Sequence, residues 1–224
     1  MPGQMILKIW DVQHGACAML THRSAQGVEG RLAMIDSGHN QDTGWKPSTY
    51  IRHYLKRSVL DYLFVTNADL DHISDLNNLW REGIAVSTFI RNRSVSPEVM
   101  KIIKEVSGEL TDDIQRYLDL HASYVHPVDT PFDQSMGGIT VKTFWNSTPR
   151  FYDTNNLSLV AFFKFGTFKI LFPGDFRRTA GSRCWSSRTF VLSWPGRPCS
   201  WLLITDAKTA IVRRCSTISI LAPS

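Results

Sequence analysis

The chain has 224 residues, 43% of them hydrophobic, and a formal charge of +5, enough for one large domain or two small ones with a real core. No apolar run approaches the roughly 18 residues that span a bilayer, and the opening MPGQMILKIWDV lacks the basic-then-apolar pattern of a secretory leader, so a cytoplasmic protein without a membrane segment is expected. Cys17, Cys184, Cys199 and Cys215 follow neither a disulfide framework nor a zinc knuckle and are expected as reduced thiols.

In chain order, residues 5–10 and 16–21 read as short strands around a turn at Gln13-His14-Gly15, and residues 31–35 as a third strand ending at Asp36-Ser37-Gly38. Together they predict an antiparallel meander. Residues 48–57 place Tyr50, Ile51, Tyr54 and Leu55 at helical spacing, and residues 60–66 form a buried strand. A helix is expected from about Ile73 to Arg81, then a strand at 88–91. The stretches 96–106, opening Ser-Pro-Glu, and 111–121, opening Thr-Asp-Asp, carry helix start signals and predict an inserted helical pair within about 92–125. Residues 140–144, 158–165 and 167–172 return to β, the last two joined at Gly166 as a hairpin.

Composition changes after Asp175. The last 49 residues hold seven Arg and one Lys against one Asp, so of the chain's net +5 they supply +7 and the first 175 residues −2. They also hold eight Ser, three of the seven Trp, three of the four Cys and no Glu. The reading is therefore a domain over residues 1–175 and an aberrant Arg- and Ser-rich tail over 176–224.

The stretch TNADLDHISDL, residues 66–76, crowds carboxylates and a histidine behind the apolar run Leu63-Phe64-Val65. Carboxylate oxygens and imidazole nitrogens are the ligands of hard and borderline divalent ions, and a strand-end loop can aim several at one point. Asp69, Asp71 and His72 fit that description. The plainer alternative makes Asp71 a cap for the helix beginning near Ile73 and Asp69 a solvated acid. A second apolar strand, KILFPGD at residues 169–175, also ends in a carboxylate, Asp175, and open sheets collect their chemistry where strands end.

The order of these pieces resembles the metallo-β-lactamase superfamily, in particular the branch similar to the C-terminal domain of the ComEC DNA-uptake proteins. The matching stretches are DVQHGACAML (11–20), MIDSG (34–38), LDYLFVTNADLDHISDL (60–76), TNNLSLV (154–160) and FPGD (172–175). The resemblance implies an α/β fold, a four-layer αβ/βα sandwich, incomplete at its C-terminus, with a metal site where the sheets meet. The family's H-x-H-x-D-H signature reads Asn67-x-Asp69-x-Asp71-His72 here. Asp71 and His72 match as ligands, Asp69 offers an oxygen where the second histidine stands, and Asn67 departs from the pattern, leaving it to orient water or a substrate oxygen. Asp175 matches the family's bridging or supporting carboxylate, whereas residues 154–158 hold no counterpart of the intervening histidine. Asp36 resembles the buried acid that orients the metal loop, with an ordinary Asx turn as the alternative. His39 and His14 fall near the cleft by family position, and surface roles stay open for both. The other histidines carry no signal.

The family's final S-H-H-G ligand motif is missing, since no histidine follows His126. If residues 201–212 are written in suitable synonymous codons and read from the third base, they give Ala-Ser-His-His-Gly, so a frameshift between Phe176 and Cys184 accounts for both the lost motif and the tail's composition. A divergent terminal extension is the alternative.

The resemblance implies a hydrolase using one or two divalent ions, Zn²⁺ or Mn²⁺, most plausibly a phosphodiesterase or nuclease with nucleic acid or a nucleotide as substrate. In this form it is weakened or inactive for want of the last ligand. Two other readings stay open: a remnant that only binds through its basic tail, and a metallo-hydrolase acting on a thioester or lactam. The frameshift predicts that the coding DNA, read one frame over near codon 201, encodes Ser-His-His-Gly; codons incompatible with that reading would leave only the divergent extension.

Overall fold

The computed structural model describes residues 3–128 and 130–175, together with the strands at 191–193, 201–203 and 215–221. The chain opens with β1 (Gln4–Trp10), β2 (Ala18–Arg23) and β3 (Glu29–Ile35), paired antiparallel as the alternation predicts. Helix α1 (Pro47–Thr49) continues into a π-helical turn, Tyr50–Tyr54, and leads to β4 (Val59–Phe64). After α2 (Leu70–Ile73) and α3 (Leu76–Arg81) come β5 (Ala85–Ile90), α4 (Pro97–Val106) and α5 (Asp112–Ser123). Strands β6 (Thr140–Trp145), β7 (Leu159–Phe165) and β8 (Phe168–Phe172) follow, and then β9 (Val191–Ser193), β10 (Trp201–Leu203) and β11 (Cys215–Leu221).

These strands form a mixed six-stranded sheet in the order β11-β1-β2-β3-β4-β5 and a five-stranded sheet in the order β10-β9-β8-β7-β6. Alternation explains how they pack. Met5, Leu7 and Ile9 of β1 point into the same buried cluster as Leu159, Ala161 and Phe163 of β7 and Ile170 and Phe172 of β8, as period-2 side chains on facing sheets must. Phe163 centres this layer, 5.2 Å from Phe64 and 5.6 Å from Phe172 in edge-to-face contact. The opposite face of the first sheet buries Met19, Met34 and Leu63 with Met100, Ile114 and Leu118 of the helices. The fold is thus mixed α/β, with two sheets sharing one core and helices over the outside of the first. No helix among the described residues is long and apolar enough to cross a membrane.

The helical pair forms where its caps predict: the Ser96 hydroxyl accepts from Val99 N and the Thr111 hydroxyl from Ile114 N. The helix expected from Ile73 instead splits in two and starts earlier. Asp69 is its extended N-cap residue, so Asp71 lies inside the first turn and does not cap a helix at Ile73. The break falls at Asp75, a buried acid whose carboxylate accepts from Ser48 N at 2.7 Å and from Asn78 Nδ2 at 2.9 Å. Three stretches of the Arg- and Ser-rich region supply β9, β10 and β11, the last pairing antiparallel with β1. The shifted-frame motif, read from residues 201–212, falls mostly outside the described residues.

Strands β3, β4 and β5 run parallel, with Ile35 opposite Phe64 and Phe64 opposite Ile90. The segments that follow them therefore leave the sheet along one edge. Phe163→Ala, which opens a hole among Phe64, Phe132 and Phe172, should cost about 3–5 kcal/mol, read as a lowered denaturant midpoint. A loss under about 1 kcal/mol would show that the sheets do not share this core.

Candidate metal centre

Asp36 ends β3 with a positive φ of 57°, a conformation that aspartate tolerates better than most residues. This turns its carboxylate inward, where the residue is 1% exposed. One oxygen accepts from Thr66 N at 2.7 Å, and the other accepts from Thr66 Oγ1 at 2.5 Å and from His72 Nδ1 at 2.9 Å. Backbone bonds lock the same junction, Asp36 N donating to Phe64 O and Ser37 N to His72 O.

The pairing fixes the imidazole. With Nδ1–H committed to Asp36, Nε2 lies 3.3 Å from Asp175 Oδ2 and would present its lone pair once an ion displaced its proton. That contact is close enough for an ion pair but not aligned for a hydrogen bond, so Nε2 is buried without one. Buried polar atoms in that condition call for an explanation. Asp71, His72 and Asp175 supply it: each offers a ligand atom, and the three atoms lie within 4.8 Å of one another. Ligands about 2.0–2.2 Å from a shared ion are at most about 4.4 Å apart, so a slight inward movement closes the set. The donors, one imidazole and two carboxylates, suit zinc or manganese. The residues fit a divalent ion.

Burial opposes charge on both members of the inner pair. It pushes the Asp36 carboxyl up, with His72 and Thr66 pulling the other way. It pulls the His72 imidazole down, but Asp36 and Asp175 on opposite ring nitrogens outweigh it and hold His72 well above its ordinary range. Without an ion, the two acids favour the protonated imidazole.

Close backbone approach explains the glycines of the matched stretches. A Cβ on Gly15 would lie 2.0 Å from Asp71 O, and one on Gly38 would lie 2.5 Å from the same oxygen. Gly174, at φ 64°, would meet Ser158 Cβ at 2.6 Å, and Ser158 Oγ accepts from Asp175 N at 3.0 Å. Gly15 and Gly38 let their loops press against Asp71, and Gly174 lets the residue before Asp175 press against Ser158.

The remaining expected residues take varied places. Asp69 lies outside the converging trio; its Oδ1 meets Lys104 Nζ at 2.5 Å and its Oδ2 accepts from Asn67 Nδ2 at 2.9 Å. Asn67 is buried and also donates to Asn155 Oδ1 at 3.1 Å, tying the metal loop to the segment before β7. His39 is half-buried and engages Ser74, its Nδ1 2.7 Å from the hydroxyl, while His14 is exposed. Sequence reading missed Thr66, Ser158 and Lys104. Only Lys104 left a signal, a charged residue one turn after Met100 on the buried face of α4.

A groove of about 540 Å³ opens between β5 and β6, lined by Arg91, Arg93, Lys142, Phe144 and Trp145 among others. The Arg93 guanidinium lies 5.6 Å from the Trp145 ring centre, in cation–π range. A scan against models of known protein families finds no match, and a search of curated proteins finds none either.

Because an ion must displace the proton that Asp36 and Asp175 favour on His72, uptake of Zn²⁺ or Mn²⁺ should release about one proton and weaken about tenfold per pH unit below the raised His72 pKa. Asp36→Asn should lower affinity by about 10–100-fold. Calorimetric titration in buffers of different ionisation enthalpy checks both, and an affinity independent of pH and of Asp36 would remove Nε2 from the ligand set.

Proposed function

We propose that the protein is a metal-dependent hydrolase with the four-layer sandwich of the metallo-β-lactamase superfamily, acting on phosphodiester bonds of nucleic acid or a nucleotide. The observation that carries the reading is the clamped imidazole: Asp36 fixes His72 through Nδ1, and one ligand atom from each of Asp71, His72 and Asp175 lies within 4.8 Å of the others. Supporting it are the two sheets with a common core and the order of the matched stretches. A divalent ion in such a set lowers the pKa of a water toward about 7 and polarises the scissile group.

The chain's own residues do the rest. Asp71 and Asp175 provide negative charge from segments that follow strands of the two different sheets, and Gly15 and Gly38 keep Asp71 in place. Asn67 holds the loop in register through Asp69 and Asn155. Positive and aromatic side chains in the β5–β6 groove favour a substrate with a phosphate and a base, since every base has a face to stack and every phosphate a charge to pair. The site lacks a fourth residue of the family's final ligand type in this frame, so weak activity is expected.

Zn²⁺ or Mn²⁺ should raise the melting temperature by binding the native state, and a chromogenic phosphodiester should be cleaved only with metal present. Asp71→Ala should abolish the metal-induced shift and lower cleavage at least about 100-fold. Cleavage of a thioester or lactam instead would change the substrate class. A chain that binds neither ion yet retains nucleic acid would replace the hydrolase with a binding module, a reading favoured by the net +7 of the last 49 residues.

A further inference from the structure

Asp69 has the type and position of a metal ligand, yet a cation of the chain itself already lies against it. Lys104 Nζ is 2.5 Å from Asp69 Oδ1 and 2.8 Å from Glu109 Oε2, and the residue is 0% exposed. Lysines are almost never buried so completely unless paired. This one is delivered by α4, whose other buried residue is Met100, so a helix packed on the apolar core sends a single charged side chain to the metal loop. Asn67 takes the remaining oxygen of Asp69. Both carboxylate oxygens are thus engaged two residues before Asp71.

We propose that Lys104 acts as a resident cation beside the centre, neutralising Asp69 and restricting the site to one divalent ion held by Asp71, His72 and Asp175. The inference rests on the metal-centre reading above. An ion bound to Asp69 Oδ1 at about 2.0–2.2 Å would sit within about 5 Å of the ammonium, and like charges at that separation repel. The ammonium therefore excludes an ion on Asp69 while leaving the converging trio untouched. It also lowers the charge that a substrate meets: Asp69 and Glu109, which share the ammonium, carry one net negative charge between them in place of two. Lys104 reaches no solvent, so it acts through Asp69 as a positioning residue.

The test is metal content per chain, measured by elemental analysis on the whole protein loaded with Zn²⁺ or Mn²⁺ and desalted. The wild type should hold one ion, and Asp69→Asn should still hold one, with affinity changed less than about threefold. Asp71→Asn should lose it. Lys104→Ala removes the ammonium between Asp69 and Glu109, and it should hold two ions and gain more melting temperature from added metal than the wild type. Adding Asp69→Asn to it should return the count to one. Asp69 keeps 23% of its side chain exposed, so water can reach the freed carboxylate; should Lys104→Ala nevertheless fail to fold, the wild-type and Asp69→Asn counts decide. Two ions in the wild type, loss of the ion in Asp69→Asn, or one ion in folded Lys104→Ala each overturns the role of Lys104 and leaves the metal centre standing. No ion in the wild type sinks both.

Discussion

The carboxylate of Asp36 is the constraint on which the rest of the site depends. Three donors converge on it from two segments, Thr66 through backbone and hydroxyl and His72 through Nδ1. The left-handed backbone that aims it inward costs on the order of 1–3 kcal/mol. Hydrogen bonds from Thr66 and His72 oppose both that strain and the cost of burying the carboxylate, which still holds the Asp36 carboxyl above its ordinary range. Its effect reaches past the pair: it joins the end of β3 to the end of β4 and sets the angle of the imidazole. Ser37 N donating to His72 O and Asp75 N donating to Ser37 O continue the same seam into the helices.

The loops around this junction can be so close because glycine occurs where they touch. Gly15 and Gly38 bring two segments of the first sheet onto the carbonyl of Asp71, and Gly174 brings the end of β8 onto Ser158. Side chains at these points would push the ligands apart by more than coordination tolerates. The motif glycines therefore belong to the site as much as the acids do, although none of them offers a ligand.

Much of this was legible in the sequence, and the legible parts share a cause. The β1–β3 meander, the buried strand before Thr66 and the capped helices α4 and α5 are written in local signals: alternation, periodicity and side chains that cap their own helix. Asp71, His72 and Asp175 were legible as strand-end carboxylates and a neighbouring imidazole, and the structure brings these three together. What could not be read depends on distant partners. The break between α2 and α3 follows from Asp75 meeting Ser48, 27 residues away, and the engagement of Asp69 follows from Lys104, 35 residues away. The spacing of Lys104 after Met100 places it on the buried face of its helix but does not name its partner, and Asp75 leaves no periodic trace. The place of Asp36 was visible only as part of a motif, and its hold on both Thr66 and His72 only in three dimensions.

The ligand set also has a history in time. His72 and Asp71 are synthesised well before Asp175, and the two parts meet only when β8, paired between β7 and β9 in the second sheet, docks against the first sheet. Closing a loop of about a hundred residues is entropically slow and costly, and until it closes the metal loop offers an ion one imidazole and one acid. The cluster that could hold an ion is then completed late, by the docking of two sheets, and a chain ending before Phe172 would lack one of its three members.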